Sequence, residues 1–104
     1  ILQEENFIID SPTNTLITGG SGADKFTILP HAGVTTTITN FDSSDEIIDL
    51  SNFADIQSIN DFAITYKSAT IVNLPNGEQI KLLNVMSEDI VAGNFIFSSI
   101  TNRE

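Results

Sequence analysis

The chain has 104 residues, with 14 acidic and 4 basic side chains and a formal net charge of −10. This length suits one domain with a modest core. The charge argues against nucleic acid or an anionic membrane surface as partner, since both need Lys and Arg. The absence of cysteine excludes disulfides, thiolate metal sites and cysteine nucleophiles, and no apolar run is long enough to span a bilayer. An acidic surface suits calcium, but it also keeps many secreted proteins soluble.

The composition is rich in Ile, Thr, Asn and Ser, which favours strands and turns over helices. Counting back from Phe26 in steps of nine reaches Ile17 and then Ile8, so an apolar position recurs at that spacing. We therefore predict three successive short strands of one roll, with these apolar positions facing inward: Asn6–Ile9, Leu16–Thr18 and Lys25–Leu29.

One intact nonapeptide precedes and includes the third of these strands. Residues 19–27 read GGSGADKFT and match G-G-x-G-x-D-x-U-x at every fixed position, U being a large apolar residue. This motif is the signature of calcium-binding parallel β-rolls. Its glycines permit a tight turn with bare carbonyls, and Asp24 adds a carboxylate, the hard oxygen ligand that calcium prefers.

Further strands are predicted along the rest of the chain, at Val34–Thr39, Ile47–Leu50 and Phe62–Tyr66. The clearest hairpin is formed by Ala69–Leu74 and Glu78–Leu83, because Asn76-Gly77 between them is a strong hairpin signal.

The C-terminal part of the chain is predicted to be less regular. Met86–Ala92 suits one short helix, with Ser87 as N-cap and Gly93 just past its end. Phe95–Phe97 is predicted as the last strand, and Ser98–Glu104 as a loose tail.

The order of these segments resembles a known family. After the nonapeptide come ITNFDSSDEIIDLS (residues 38–51), IKLLNV (80–85) and DIVAGNFIF (89–97). This order is similar to the C-terminal region of RTX (repeats-in-toxin) hemolysin-type calcium-binding proteins. It is also similar to the serralysin C-terminal β-roll and to the R-modules of alginate epimerases. The likeness covers roughly residues 14–97.

The resemblance implies an all-β fold: a short right-handed parallel β-roll stub capped by antiparallel strands, with at most one short helix. We expect a single domain over 1–104, with roll strands in 1–29, an antiparallel capping region in 30–97 and the tail in 98–104. The family also implies calcium-dependent folding outside the cell and export by type I secretion machinery. Because the chain opens at Ile1, we expect it to be a piece of a longer protein.

Candidate calcium ligands come from the geometry of such a roll. One coil spans two nonapeptides, or about 18 residues, and 18 residues beyond Asp24 lies Asp42, beside Asn40. The chain departs from the family pattern, since Asn40 stands where relatives carry Asp, and Glu46 fills the slot of a second Asp. The predicted ligands are the Gly20 and Gly22 carbonyls with Asp24, completed by Asn40, Asp42 or Glu46. An incomplete set predicts weak affinity, on the order of 10⁻⁴–10⁻³ M.

Other polar residues have simpler interpretations. Asp49 more often accepts backbone N–H bonds at a turn than ligates a metal, and the lone His31 is more often solvated than catalytic. Nothing in the sequence resembles a nucleophile with its base or a phosphate-binding loop, so we predict a non-enzyme. Five phenylalanines are predicted to fill the core: Phe7, Phe26, Phe62, Phe95 and Phe97.

Three functions remain open at this point. The first is a calcium-binding folding and secretion module at the C-terminus of a larger bacterial type I secreted RTX protein. The second is an extracellular module for polysaccharide or another surface ligand, for which Tyr66 is the one obvious exposed aromatic candidate. The third is a metal-free structural cap. In each case we expect a secreted monomer.

Overall fold

Strands make up nearly all of the regular structure. A computed structural model describes residues 6–19, 24–42 and 44–98. Within these ranges the strands are β1 (Asn6–Ile9), β2 (Thr15–Ile17), β3 (Lys25–Ile28), β4 (Thr35–Ile38), β5 (Ile47–Asp49), β6 (Ala63–Tyr66), β7 (Thr70–Asn73), β8 (Gln79–Leu82) and β9 (Phe95–Ile96). The helical elements are single 3₁₀ turns at Ile59–Asp61, Ser87–Asp89 and Ala92–Asn94. The predicted all-β class is therefore confirmed.

The first five strands alternate between two sheets. A four-stranded sheet has the order β1-β3-β5-β9, and a five-stranded sheet has the order β2-β4-β8-β7-β6. Every pair in the first sheet is parallel, and so are β2–β4 and β4–β8 in the second. We use the word circuit for the stretch of chain from one strand to its neighbour in the same sheet. Residues one circuit apart lie side by side.

The circuits are longer than two nonapeptides, and this changes which residues face inward. Phe26 lies opposite Phe7, their rings stacked with centroids 5.3 Å apart. The predicted inward position, Ile8, is 69% exposed, so that prediction is wrong. The first circuit contains 19 residues in place of 18. Because side chains alternate along a strand, a slip of one residue moves each of them to the other face.

Among the described strands, antiparallel pairing is confined to β6, β7 and β8. The predicted hairpin is confirmed: Thr70 lies opposite Leu82, and the turn is closed by the Gly77 N–H, which donates to the Leu74 carbonyl at 3.0 Å. Gly77 has φ of 89°, a backbone conformation that favours glycine. For β4, β5 and β9, however, the antiparallel pairing predicted over 30–97 is wrong, because each pairs in parallel.

The helix predicted at Met86–Ala92 is replaced by two separate 3₁₀ turns. Between them Ile90 is extended, with φ −97° and ψ 125°, and its side chain is buried in the core. Starting a helix is costly in so short a segment, and burial of Ile90 favours the extended form. Ser87 is the first residue of a turn and does not cap it.

Ser98 is buried and donates its N–H to the Ile56 carbonyl at 3.1 Å, so the loose tail predicted from Ser98 does not include that residue. Residues 99–104 lie outside the described ranges.

The core fills the space between the two sheets. Ile38, Ile48, Ile80 and Leu82 are fully buried, and burial of each such side chain contributes about 1.5–3 kcal/mol. Of the five predicted core phenylalanines, Phe26 and Phe95 are buried, while the other three pack against the core from its margin: Phe7, Phe62 and Phe97. Phe41 and Phe53, which were not predicted, are buried as well. None of the helical turns in the described residues is long and apolar enough to cross a membrane.

Candidate metal site

Two acidic residues occupy equivalent places at neighbouring turns. Asp24 lies immediately before β3, and Glu46 lies immediately before β5. These strands pair in parallel with Lys25 opposite Ile47. The Ile47 N–H donates to the Asp24 carbonyl at 3.1 Å, which extends the ladder to the two acids. Asp24 and Glu46 are therefore neighbours one circuit apart.

Both acids are buried, and the described residues give Asp24 no hydrogen-bond partner. Asp24 is 2% exposed and Glu46 is 3% exposed. Neither carboxylate oxygen of Asp24 is hydrogen-bonded to any residue that the structure describes. The Oε1 atom of Glu46 accepts one bond, from the Asp42 N–H at 3.0 Å. A buried carboxylate without a donor or a cation is strongly disfavoured.

The electrostatics of Glu46 reflect this crowding. Burial is the main reason that the pKa of Glu46 rises to about 7 from its ordinary 4.5, while the hydrogen bond from the Asp42 N–H acts in the opposite direction. The Asp24 carboxylate raises the pKa further, as an acceptor for the Glu46 proton and as a like charge, and Asp45 adds repulsion. No hydrogen bond of standard geometry joins the two side chains as they stand. Near neutral pH, the pair favours holding a proton or a cation.

Gly19, the first residue of the nonapeptide, provides the space for the Asp24 carboxylate. A Cβ atom at this position would lie 2.7 Å from Asp24 Oδ2 and 3.0 Å from Phe26 Cζ. Real Cβ atoms almost never approach other atoms so closely, so a side chain here would force the Asp24 carboxylate or the Phe26 ring to move. Gly19 was not among the predicted site residues. The signal that could have identified it is its place as the first glycine of the motif.

Asn40 lies against Gly19 and uses both ends of its carboxamide there. The Gly19 N–H donates to Asn40 Oδ1 at 2.7 Å, and Asn40 Nδ2 donates to the Gly19 carbonyl at 2.6 Å. Asp42 is exposed, and its Oδ1 accepts from Ser44 Oγ at 2.6 Å and from the Ser44 N–H at 3.0 Å. Both bonds lower the pKa of Asp42, and the bond from the Ser44 side chain has the larger effect. Its carboxylate thus closes its own turn.

The structure brings together some of the predicted ligands. Asp24 and Glu46 meet directly, whereas Asn40 reaches the site through Gly19, and Asp42 reaches it through its backbone N–H. Gly20 and Gly22 lie outside the described residues. The step of 18 placed Asp24 level with Asp42, but its true neighbour is Glu46, 22 residues on, because that circuit is longer.

The donor chemistry at this corner fits calcium. Calcium takes six to eight hard oxygen ligands in flexible geometry, and backbone carbonyls and water complete many of its sites. Asp24 and Glu46 supply two carboxylates, and an open groove of about 270 Å³ lies beside Glu46, lined in part by Asp45 and Asn94. No cluster of three or more His, Cys, Asp or Glu suited to a metal occurs in the described part of the chain. These two carboxylates would supply only part of a coordination shell, and the remainder would have to come from carbonyls or water.

The remaining polar candidates have structural roles. Asp49 Oδ1 accepts from the Ser51 N–H at 2.9 Å, which confirms its predicted place at a turn, and its carboxylate lies 3.7 Å from Lys25 Nζ. The Nε2 atom of His31 lies 2.6 Å from Asp10 Oδ1 in a surface pair. Tyr66 is 49% exposed on β6, the outermost strand of its sheet.

The sequence was also compared with known proteins. No protein-family model matches the chain, and no curated protein matches it. The functional assignment therefore rests on the residues and their geometry.

Proposed function

We propose that this chain is a non-catalytic calcium-binding module that completes its folding outside the cell, at the C-terminus of a larger bacterial protein exported by a type I system. The observation that carries the calcium part is the Asp24 carboxylate, which is 2% exposed and has no donor among the described residues. A folded chain tolerates such a group when a cation or a proton occupies the site.

The architecture that we propose is a short parallel β-roll. Parallel pairing of alternate strands, β1 with β3 and β2 with β4, supports it, as does the complete nonapeptide at residues 19–27. The antiparallel strands β6 and β7 then act as the cap on the five-stranded sheet. Type I export is supported by the resemblance to RTX C-terminal regions.

The mechanism is a linkage between ion binding and folding. Without an ion, Asp24 and Glu46 repel each other unless one of them is protonated, and this weakens the contact between neighbouring circuits. Bound calcium would supply the positive charge that both carboxylates lack. For a dissociation constant of about 10⁻⁴–10⁻³ M and roughly millimolar extracellular calcium, linkage stabilises the fold by about 0.4–1.4 kcal/mol.

Thermal unfolding with excess EDTA and with about 10 mM calcium tests this function, for the wild type and for Asp24→Ala. We expect calcium to raise the wild-type midpoint by at least about 5 °C and to leave the variant unchanged. Magnesium serves as the control ion, because it demands a stricter octahedral geometry. Identical wild-type midpoints in calcium and in EDTA would contradict calcium binding.

The export part needs its own experiment. The chain is fused to the C-terminus of a passenger protein and co-expressed with a type I exporter. We expect the passenger in the medium only when the exporter is present. Retention in cells with an active exporter would refute the secretion role and leave the calcium role standing.

A further inference from the structure

Among the described residues, three side-chain links join the β2 segment to the β4 segment across 21 positions of sequence. Asn40 binds Gly19 through two hydrogen bonds. The hydroxyl groups of Thr18 and Thr39 lie 2.7 Å apart. At the opposite ends of the same two strands, the Thr35 N–H donates to Asn14 Oδ1 at 2.9 Å. The Asn40 link differs from the other two because it also reaches the Asp24–Glu46 site.

The two bonds of Asn40 require a carboxamide. One of its atoms accepts from the Gly19 N–H at 2.7 Å, while the other donates to the carbonyl of the same residue at 2.6 Å. A carboxylate can accept the first bond, but it has no proton for the second. An aspartate here would place an oxygen against the Gly19 carbonyl oxygen.

Gly19, the residue that Asn40 holds, lies against the Asp24 carboxylate. Gly19 is buried, and its position leaves only 2.7 Å between a would-be Cβ atom and Asp24 Oδ2. Fixing both polar groups of Gly19 therefore fixes the wall of the space that holds the Asp24 carboxylate. The same bonds use one lone pair of Asn40 Oδ1 and hold both ends of the carboxamide against Gly19.

We propose that Asn40 is a positioning residue that clamps Gly19 beside Asp24 without a metal, and that it is not one of the calcium ligands. The clamp replaces an ion-mediated link between these two turns with an amide-mediated one. The cation site at Asp24 and Glu46, which the clamp would hold in place, rests on the proposed function. The clamp itself does not depend on that function.

The test compares two variants with the same change in chemistry. Asn40→Asp and Asn14→Asp each replace a carboxamide by a nearly isosteric carboxylate on a link between the same two strands. Within the described ranges Asn14 accepts one bond and donates none, so its variant keeps the hydrogen bond and adds the same charge. In EDTA we expect Asn40→Asp to melt about 4–8 °C below Asn14→Asp, the shift expected for loss of one hydrogen bond worth about 1 kcal/mol.

A second readout reports on Gly19 directly. Amide hydrogen exchange, followed by NMR in EDTA, should show a protected Gly19 amide in the wild type and a fast-exchanging one in Asn40→Ala. Thr39→Val removes the neighbouring hydroxyl link and should leave Gly19 protected. An unprotected Gly19 amide in the folded wild type would overturn the clamp.

The calcium arm separates this proposal from the function on which it builds. If Asn40 is a ligand, Asn40→Asp should keep its stability in EDTA and bind calcium more tightly, and that result would overturn the clamp. If the wild type fails to respond to calcium, the proposed function fails, while the difference between the two Asp variants in EDTA still decides whether the clamp exists.

Discussion

Two corners of the molecule bury an acidic side chain, and they treat it in opposite ways. Glu78, next to the hairpin turn, is 1% exposed, and its Oε1 accepts from the His31 N–H at 2.9 Å and from Asn76 Nδ2 at 3.3 Å. Asp24 is buried to the same degree and has no donor among the described residues. Burial of an acid is thus no evidence for a site; what points to a ligand is burial without donors.

The difference arises from the local sequence. The hairpin turn supplies its own polar partners, because the Asn76 side chain accepts from the Glu78 N–H at 2.9 Å and donates back to the carboxylate. At the other corner, the residue in the equivalent place of the neighbouring circuit is a second acid, Glu46, whose pKa is raised by burial and then by Asp24. The Glu78 corner completes its hydrogen bonds with its own turn, whereas at the Asp24 corner the described residues supply no donor to the carboxylate.

The largest expected loss of stability is at the corner where the buried acid, Glu78, is hydrogen-bonded. Glu78→Ala leaves the partly buried His31 N–H without its acceptor and opens a small cavity, so we expect a loss of about 3 kcal/mol in the free energy of unfolding. Glu78→Gln keeps an oxygen for that N–H and should lose much less. Urea unfolding in EDTA and in calcium measures both, and the calcium response should be the same in each. A changed response would break the distinction between the corners.

A smaller loss is expected where the glycine turn meets Asp24. Gly19→Ala drives a Cβ atom to 2.7 Å from Asp24 Oδ2, and we expect overpacking to cost about 2 kcal/mol. The matched control is Gly93→Ala, whose Cβ atom would have Val91 Cγ2 as its nearest neighbour at 3.9 Å. Chemical unfolding in EDTA compares the two, and equal stabilities would show that Gly19 has more room than the structure gives it.

The smallest effect has the opposite sign. Glu46→Gln keeps an acceptor for the Asp42 N–H and provides an amide donor for Asp24, so we expect it to stabilise the metal-free protein by about 1 kcal/mol. It should also remove a dependence on pH. Folding raises the pKa of Glu46 from 4.5 to about 7, so the folded state binds more protons in this range, and the stability of the metal-free wild type falls as pH rises between these values.

Urea unfolding in EDTA at several pH values from 5 to 8 checks this sign. The wild type should lose stability over that interval, and Glu46→Gln should lose less. Parallel curves for the two proteins would mean that Glu46 titrates in the folded chain as it does in the unfolded one.

The sequence predicts well what local chemistry determines. The strand at Lys25–Ile28, the hairpin around Asn76-Gly77 and the turn role of Asp49 each depend on neighbours a few residues away, and each was predicted close to its place. Asp24 was identified because the nonapeptide places it beside the glycine turn.

What depends on circuit length could not be predicted from a single repeat. Degenerate turns make the circuits 19, 21 and 22 residues long, and each extra residue shifts the register. For this reason Ile8 was assigned to the wrong face, and the step of 18 from Asp24 ended at Asp42. The parallel pairing of β5 with β9 escaped detection because its two strands are 47 residues apart.

Calorimetric titration of calcium into three proteins, the wild type, Asp24→Asn and Glu78→Gln, tests the central claim most directly. All three are compared at one neutral pH and one ionic strength. The account predicts one ion for the wild type, with a dissociation constant on the order of 10⁻⁴–10⁻³ M, the same binding for Glu78→Gln and none for Asp24→Asn. Binding to Asp24→Asn with wild-type affinity would contradict it and would place the ion elsewhere.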